Sequence, residues 1–260
     1  MQGRSAFPTT HATWLRTMVL DARDGASVAD ADAAALAGMP ANRAESARAQ
    51  AVRHVMERYA APLEVFVRGS SLARLGEPAE IVHGFFASRL SDAAFLEAWA
   101  QASRARGMRL RRWLMNGILF YGQGLARDRG RAAARGASVD PGELDRREGA
   151  GATAELDFER AWALAMVREA TARAEEALRG EGRADDFEIF RRHAVEGLPY
   201  AAFAREFGRS ETQCAGATRL VAQRVRAQLA ALLREEGVDE PELEDEVARM
   251  HRWLADSPRA

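Results

Sequence analysis

Apolar residues in this chain recur at the three- and four-residue spacing of an α-helix over long windows, and only 8 prolines interrupt them. Runs of alternating β-branched residues, the mark of a half-buried strand, do not occur. The chain is therefore expected to be all-α. A first helix is expected from near Thr10, with Trp14, Val19 and Leu20 inward. Residues 25–42 are small and alanine-rich and read as a weak helix or a loop. A strong helix follows from Arg43 to Arg68, with Val55, Tyr59 and Leu63 on its stripe and Pro62 as a kink or an end. Further helices are expected at Glu77–Leu90, Asp92–Ala105 and Arg109–Arg129.

The pattern then stops. Residues 130–153 carry five glycines and Pro141, with few large apolar side chains. Periodicity resumes at Leu156 and predicts helices to Leu178, then Phe187–Val195, Tyr200–Phe207, Glu211–Glu235 and Pro241–Leu254. The organisation this implies is two small helical domains joined by a flexible linker. Their bounds are 1–135, a linker at 136–153, 154–236, and an acidic C-terminal helix in 237–260. An 18-residue linker spans roughly 25 Å on average and about 60 Å when stretched.

Length and charge set outer bounds. With 260 residues, 37 basic and 38 acidic, the net charge is -1, which excludes a uniformly basic coat or a uniformly acidic tail protein. All the basic residues are arginine. A single cysteine, Cys214, excludes a disulfide framework and reads as a small buried hydrophobe. No stretch approaches the run of about 20 apolar residues needed to span a membrane. The first residues lack a secretory pattern, so a soluble, cytoplasmic protein is expected.

The charge is segregated. Residues 104–135 hold nine arginines against Asp128, a local +8; residues 205–226 sum to +3; residues 234–256 sum to -6. The +8 block also holds Trp113, Phe120 and Tyr121. Guanidinium groups pair with phosphates and unstacked bases lie on rings, so the block suits single-stranded nucleic acid. A solvated helix face over core aromatics is the competing account.

A second pattern lies at Tyr200–Arg219 and reads as a helix-turn-helix. Ala204 is small where two helices would cross, and Gly208 suits a tight turn. Ser210 is a good N-cap, and Cys214, Ala217, Val221, Val225 and Leu229 form a buried stripe. The opposite face presents Thr212, Gln213, Arg219, Gln223 and Arg226 to a major groove. An ordinary helical hairpin would carry the same small residues.

Several segments occur in an informative order: Phe7-Pro8-Thr9-Thr10 with Trp14 behind it, Tyr59 to Leu63, Phe85 to Leu90, Arg109 to Leu114, Phe158 to Leu164, and Leu198 to Ala204. Together they resemble the bacterial RNA polymerase sigma factors of the extracytoplasmic-function group, which keep the second and fourth sigma regions. The resemblance spans about residues 7 to 235. It implies that Glu80, His83 and Arg89 contact the clamp helices of the β-prime subunit of core RNA polymerase. It implies that Arg109, Arg111, Arg112, Trp113, Arg127 and Arg129 meet a melted minus-ten element. Thr212, Arg219, Gln223 and Arg226 would read the minus-thirty-five element. Promoter DNA is thus an implied partner, and an anti-sigma factor a candidate one; no cofactor, metal or membrane is expected.

The departures from the family pattern are specific. In the core-binding helix one acid and a glutamine are replaced in Glu77 to Phe86. In the melting helix Ile118 to Gly124 lacks the usual arginine, asparagine and acid, and gains two glycines. Ala215, Leu220 and Ala222 stand in the recognition helix where basic or polar residues are common. A degenerate sigma relative, or a stand-alone helix-turn-helix regulator that does not initiate transcription, is therefore the alternative. Two roles are open to the acidic tail: a dimer helix, or a cover folded back on an arginine patch, the latter resting only on opposite charge. An enzyme is not expected, since none of the five histidines sits in a metal-binding pair and no phosphate-cradling glycine loop occurs.

Overall fold

A computed structural model of the chain describes residues 41–90, 92–134 and 148–255. The expected first helix, the Phe7 to Thr10 motif and most of the 25–42 segment lie outside the described residues. Those residues form nine α-helices and no strand. They are α1 (Ala41–Gly69), α2 (Pro78–Phe85), α3 (Ala93–Arg106), α4 (Leu110–Ala134), α5 (Glu148–Gly180), α6 (Ala184–Phe190), α7 (Tyr200–Phe203), α8 (Glu211–Glu235) and α9 (Leu243–Ala255). The all-α expectation holds, and most helix ends fall within a residue or two of their predicted positions. Helix α1 runs through Pro62, which is buried, so the proline does not end it.

The chain divides into two compact units, and the division differs from the expected one. The first contains the described residues up to Ala163, with 235–237 and 244–255; the second contains 164–234 and 238–243. The boundary falls inside α5 rather than in the expected linker, and α5 already begins at Glu148. Residues 135–147 lie outside the description. The physical reason is packing: Ala154, Phe158 and Trp162 at the start of α5 are fully buried, and Phe158 meets Phe66 of α1 edge-on at 6.3 Å. The 244–255 segment also belongs to the first unit.

In the first unit α1, α2, α3 and α4 share one core. It contains Tyr59, Leu63, Phe66, Phe85, Phe86, Leu90, Leu96, Trp99, Leu114 and Ile118, each at most 4% exposed. Local chemistry sets the helix ends. Pro78 occupies the first turn of α2, the Asp92 carboxylate caps Ala94 at α3, and Gly107 closes α3 with a left-handed φ of +62°. Past Phe85, α2 widens into a π-helical turn over Phe86–Leu90. Both Phe86 and Leu90 are thereby buried while Arg89 faces out.

The glycines of α4 have a packing role. A Cβ on Gly117 would stand 2.8 Å from the Phe95 ring and 3.1 Å from that of Phe85, and one on Gly122 would stand 2.1 Å from the buried Leu72. These two positions let neighbouring side chains press onto the helix backbone. Gly124 has no such neighbour within 4 Å.

The second unit is built on the later part of α5 with α6, α7 and α8. Ile189, Phe203, Ala204, Cys214 and Ala217 form a core against which Tyr200 and Phe207 pack. The carboxylate of Asp186, 2% exposed, accepts from Arg183 at 2.6 Å and from Arg209, which ties α6 to the turn before α8.

Replacing Gly117 by alanine should destabilise the protein by about 1–2 kcal/mol, because overpacking outweighs the better helix propensity. Gly124→Ala should instead stabilise it by about 0.5–1 kcal/mol. Urea unfolding followed by circular dichroism checks both signs.

Candidate functional site

Helix α4 carries the arginine-and-aromatic block, and its phase decides which members of that block reach solvent. Leu110, Leu114 and Ile118 face the core. At about 100° per residue, Arg112, Asn116, Phe120, Gln123 and Arg127 fall on the opposite side, within about 80° of arc. Arg112, Phe120, Gln123 and Arg127 are exposed and Asn116 is half-buried. Phe120 is 67% exposed, an unusual setting for a large apolar ring. Arg112 pairs with Glu155 at 2.7 Å, and the Nε of Arg127 donates to the Gln123 carbonyl at 3.2 Å. The stripe thus offers a ring, two amide side chains and two guanidinium groups in a row.

The six residues expected to meet a minus-ten element do not share this face. Arg112 and Arg127 lie on it. Arg129 is exposed, but about a third of a turn or more away. Trp113 is half-buried against Phe95, ring centres 5.7 Å apart. Arg111 is buried in an ion-pair network, and Arg109 joins it from the residue before α4. Phe120 is absent from that set of six. A helical wheel drawn from Leu114 and Ile118 places it opposite the core, so the signal was in the sequence.

The centre of the network is Glu246 of α9, which has no exposed surface. Its carboxylate takes Arg109 at 2.5 Å, Arg111 at 2.7 Å and the Nε of Arg249 at 3.0 Å. Arg111 also reaches Glu159 of α5 at 3.1 Å and stacks on the Trp162 ring at 4.3 Å. Nearby, Arg160 donates to the Trp253 carbonyl at 3.2 Å. A second tie joins residues 235–237 to α1: Arg58 donates to Glu236 at 2.6 Å, and the buried Tyr59 hydroxyl donates to the same carboxylate. Burial, and then the Glu236 charge, push the Tyr59 phenol well above its ordinary range.

The two acids on Arg111 titrate in opposite directions. Burial would raise Glu246, but Arg111, Arg249 and Arg109 outweigh it and hold the carboxyl at about 2. Burial raises Glu159; the attraction of Arg111 opposes this and the Glu246 charge adds to it, so the net shift is upward.

In the second unit, α7 tightens into a 3₁₀ turn over Ala204–Phe207 and ends at Gly208, φ +62°. Helix α8 then opens with a reciprocal cap. The Gln213 amide donates to the Ser210 hydroxyl at 3.3 Å, and the Ser210 amide to the Gln213 side chain at 2.8 Å. Cys214, Ala217, Val221 and Leu229 are buried. Thr212, Arg219, Gln223 and Arg226 are all exposed and fall on one stripe of α8. Glu80, His83 and Arg89 are also exposed, the first two on one face of α2. Among the described residues no helix is long and apolar enough to cross a membrane, and no group of acids, histidines and cysteine could hold a metal ion.

Set against protein-family models, curated proteins and solved structures, the chain matches none.

Glu246→Gln should cost about 3 kcal/mol of stability, because it leaves buried guanidinium groups without their counter-charge. A carboxyl whose folded pKa is depressed stabilises the fold above its ordinary value and loses that contribution on acidification. The Glu246 contribution should therefore disappear between pH 4.5 and about 2, and the variant's stability should be less steep in pH over that window. Chemical denaturation across this pH range checks both.

Proposed function

We propose that the chain is a sigma-factor-like protein that binds core bacterial RNA polymerase and directs it to promoter DNA. The observation that carries the reading is the α4 stripe, where the 67% exposed Phe120 lies in line with Arg112, Asn116, Gln123 and Arg127. A solvent-facing ring favours a base taken out of its stack, amides suit base edges, and flanking guanidinium groups suit phosphates. The exposed Thr212, Arg219, Gln223 and Arg226 on α8, behind a capped turn, support a second, double-stranded contact of helix-turn-helix type. Glu80, His83 and Arg89 are available to the β-prime clamp helices. The job is recognition rather than covalent chemistry, it belongs in the cytoplasm, and an anti-sigma factor is a candidate regulator.

A second reading is favoured by one specific observation. Arg109 and Arg111, both expected at the DNA, are engaged by Glu246 within the chain. A degenerate sigma relative or a stand-alone DNA-binding regulator would need neither arginine at a melted promoter.

The test is binding of the full chain to core polymerase, followed by anisotropy with a labelled single-stranded oligonucleotide. Submicromolar one-to-one binding to core, with Phe120→Ala weakening the oligonucleotide complex by roughly 5- to 100-fold, is the expected result. Oligonucleotide or duplex binding without core binding selects the regulator. Core binding without run-off transcription selects the degenerate relative.

A further inference from the structure

The chain's own acidic helix sits where a polyanion would be expected, and the geometry gives that contact a regulatory meaning. Helix α9 has acids at Glu244, Asp245 and Glu246, but only Glu246 is buried, and it alone spans Arg109 and Arg111. A carboxylate that bridges two arginines at the start of α4, with Arg249 of its own helix as a third partner, has the charge and hydrogen-bonding pattern of a backbone phosphate. Arg111 has partners outside α9 as well as within it. The Trp162 ring and the Glu159 carboxylate, both from α5, hold the guanidinium from other sides. Withdrawal of Glu246 would leave that cation in place, desolvated on one face and short of a partner on the other. Arg109, one quarter exposed, lies immediately before the α4 stripe and on its side of the helix.

We propose that Glu246 is an internal phosphate mimic. Helix α9 competes with single-stranded nucleic acid for an anion seat made by Arg109 and Arg111, so that the docked tail is the autoinhibited form. This inference rests on the nucleic-acid reading of α4. Arg109 extends the Arg112–Arg127 stripe at its N-terminal end, and Glu246 bridges it to Arg111 further round the helix, so one strand entering along the stripe would meet Arg109 first. Burying an ion pair carries a large desolvation penalty, which offsets part of what the Glu246 contacts contribute to docking α9.

The experiment uses the full chain. Anisotropy with a labelled single-stranded oligonucleotide is measured for the parent, Glu246→Gln, Glu246→Gln with Arg111→Ala, and Glu244→Gln. The last makes the same charge change on an exposed residue of the same helix. Glu246→Gln is expected to bind about 10-fold tighter than the parent. Its plot of log affinity against log salt should be steeper by about 1.4, for two more phosphates on a single strand. The double variant should lose most of the gain and about half of the slope change, since Arg109 remains, and Glu244→Gln should lack both effects. Equal affinity for Glu246→Gln and parent, or a gain that persists in full without Arg111, overturns the proposal.

Hydrogen exchange on the parent gives an answer that does not depend on how well a variant folds. Saturating oligonucleotide should speed exchange across residues 243–255, and unchanged or slower exchange there overturns the proposal. Core-polymerase binding by the parent separates the two levels. If it persists while these effects are absent, only the masking role falls; if no form binds core or oligonucleotide, the reading beneath it falls as well.

Discussion

Glu246 and Arg111 meet away from water, and each is intelligible only through the other. A buried guanidinium needs counter-charge, and here two carboxylates and an indole face supply it. A buried carboxylate needs donors, and Arg109, Arg111 and Arg249 supply those. The pair joins three stretches far apart in the chain: the start of α4, the early part of α5 and helix α9. Hydrophobic burial makes the first unit cohere, but it is non-directional. The apolar stripes set the rotation of α4 and α9 and the charge network adds direction to it, because a guanidinium fork donates to its acids over a narrow range of angles. Once that rotation is fixed, the opposite face of α4, with Phe120, points to solvent.

Much of this was legible from residue spacing. The stripes of α1, α4 and α8 name their own buried members, and the end of α8 at Glu235 was expected at that residue. The Ser210–Gln213 cap and the left-handed Gly208 follow from local chemistry that needs no tertiary information. What could not be read was which arginine of a basic run is structural. Arg111 and Arg112 are neighbours of identical composition, yet one is buried and the other exposed. The difference is helix phase combined with the arrival of α9, and the second half of that is long-range. Net charges of +8 and -6 made an approach plausible without naming Glu246 among nine acids.

The glycines of α4 show the same limit from another side. Read by propensity they weaken a helix, and Gly122 and Gly124 count as departures from a family pattern. In the fold Gly117 and Gly122 are contact surfaces whose missing Cβ admits Phe95, Phe85 and Leu72. Propensity measures the helix alone, whereas these positions answer to what lies across it. Gly216, with open space around it, has no such account.

The wide turn at Phe86–Leu90 bears on how such a chain can change length. A π-helical turn holds one residue more than the α-helical turn around it, so it is the local form that a single inserted residue takes in a helix. Here it lets consecutive rings at Phe85 and Phe86 both face inward, with Leu90 behind them. Removing one residue from this turn would restore the ordinary repeat and leave Leu90 in register, whereas removing one elsewhere in α2 would rotate Leu90 by about 100°. Adding one elsewhere in α2 would meet no such reservoir. A one-residue change of length in this helix is therefore absorbed in one turn, beside the exposed Arg89 and the buried rings of Phe85 and Phe86.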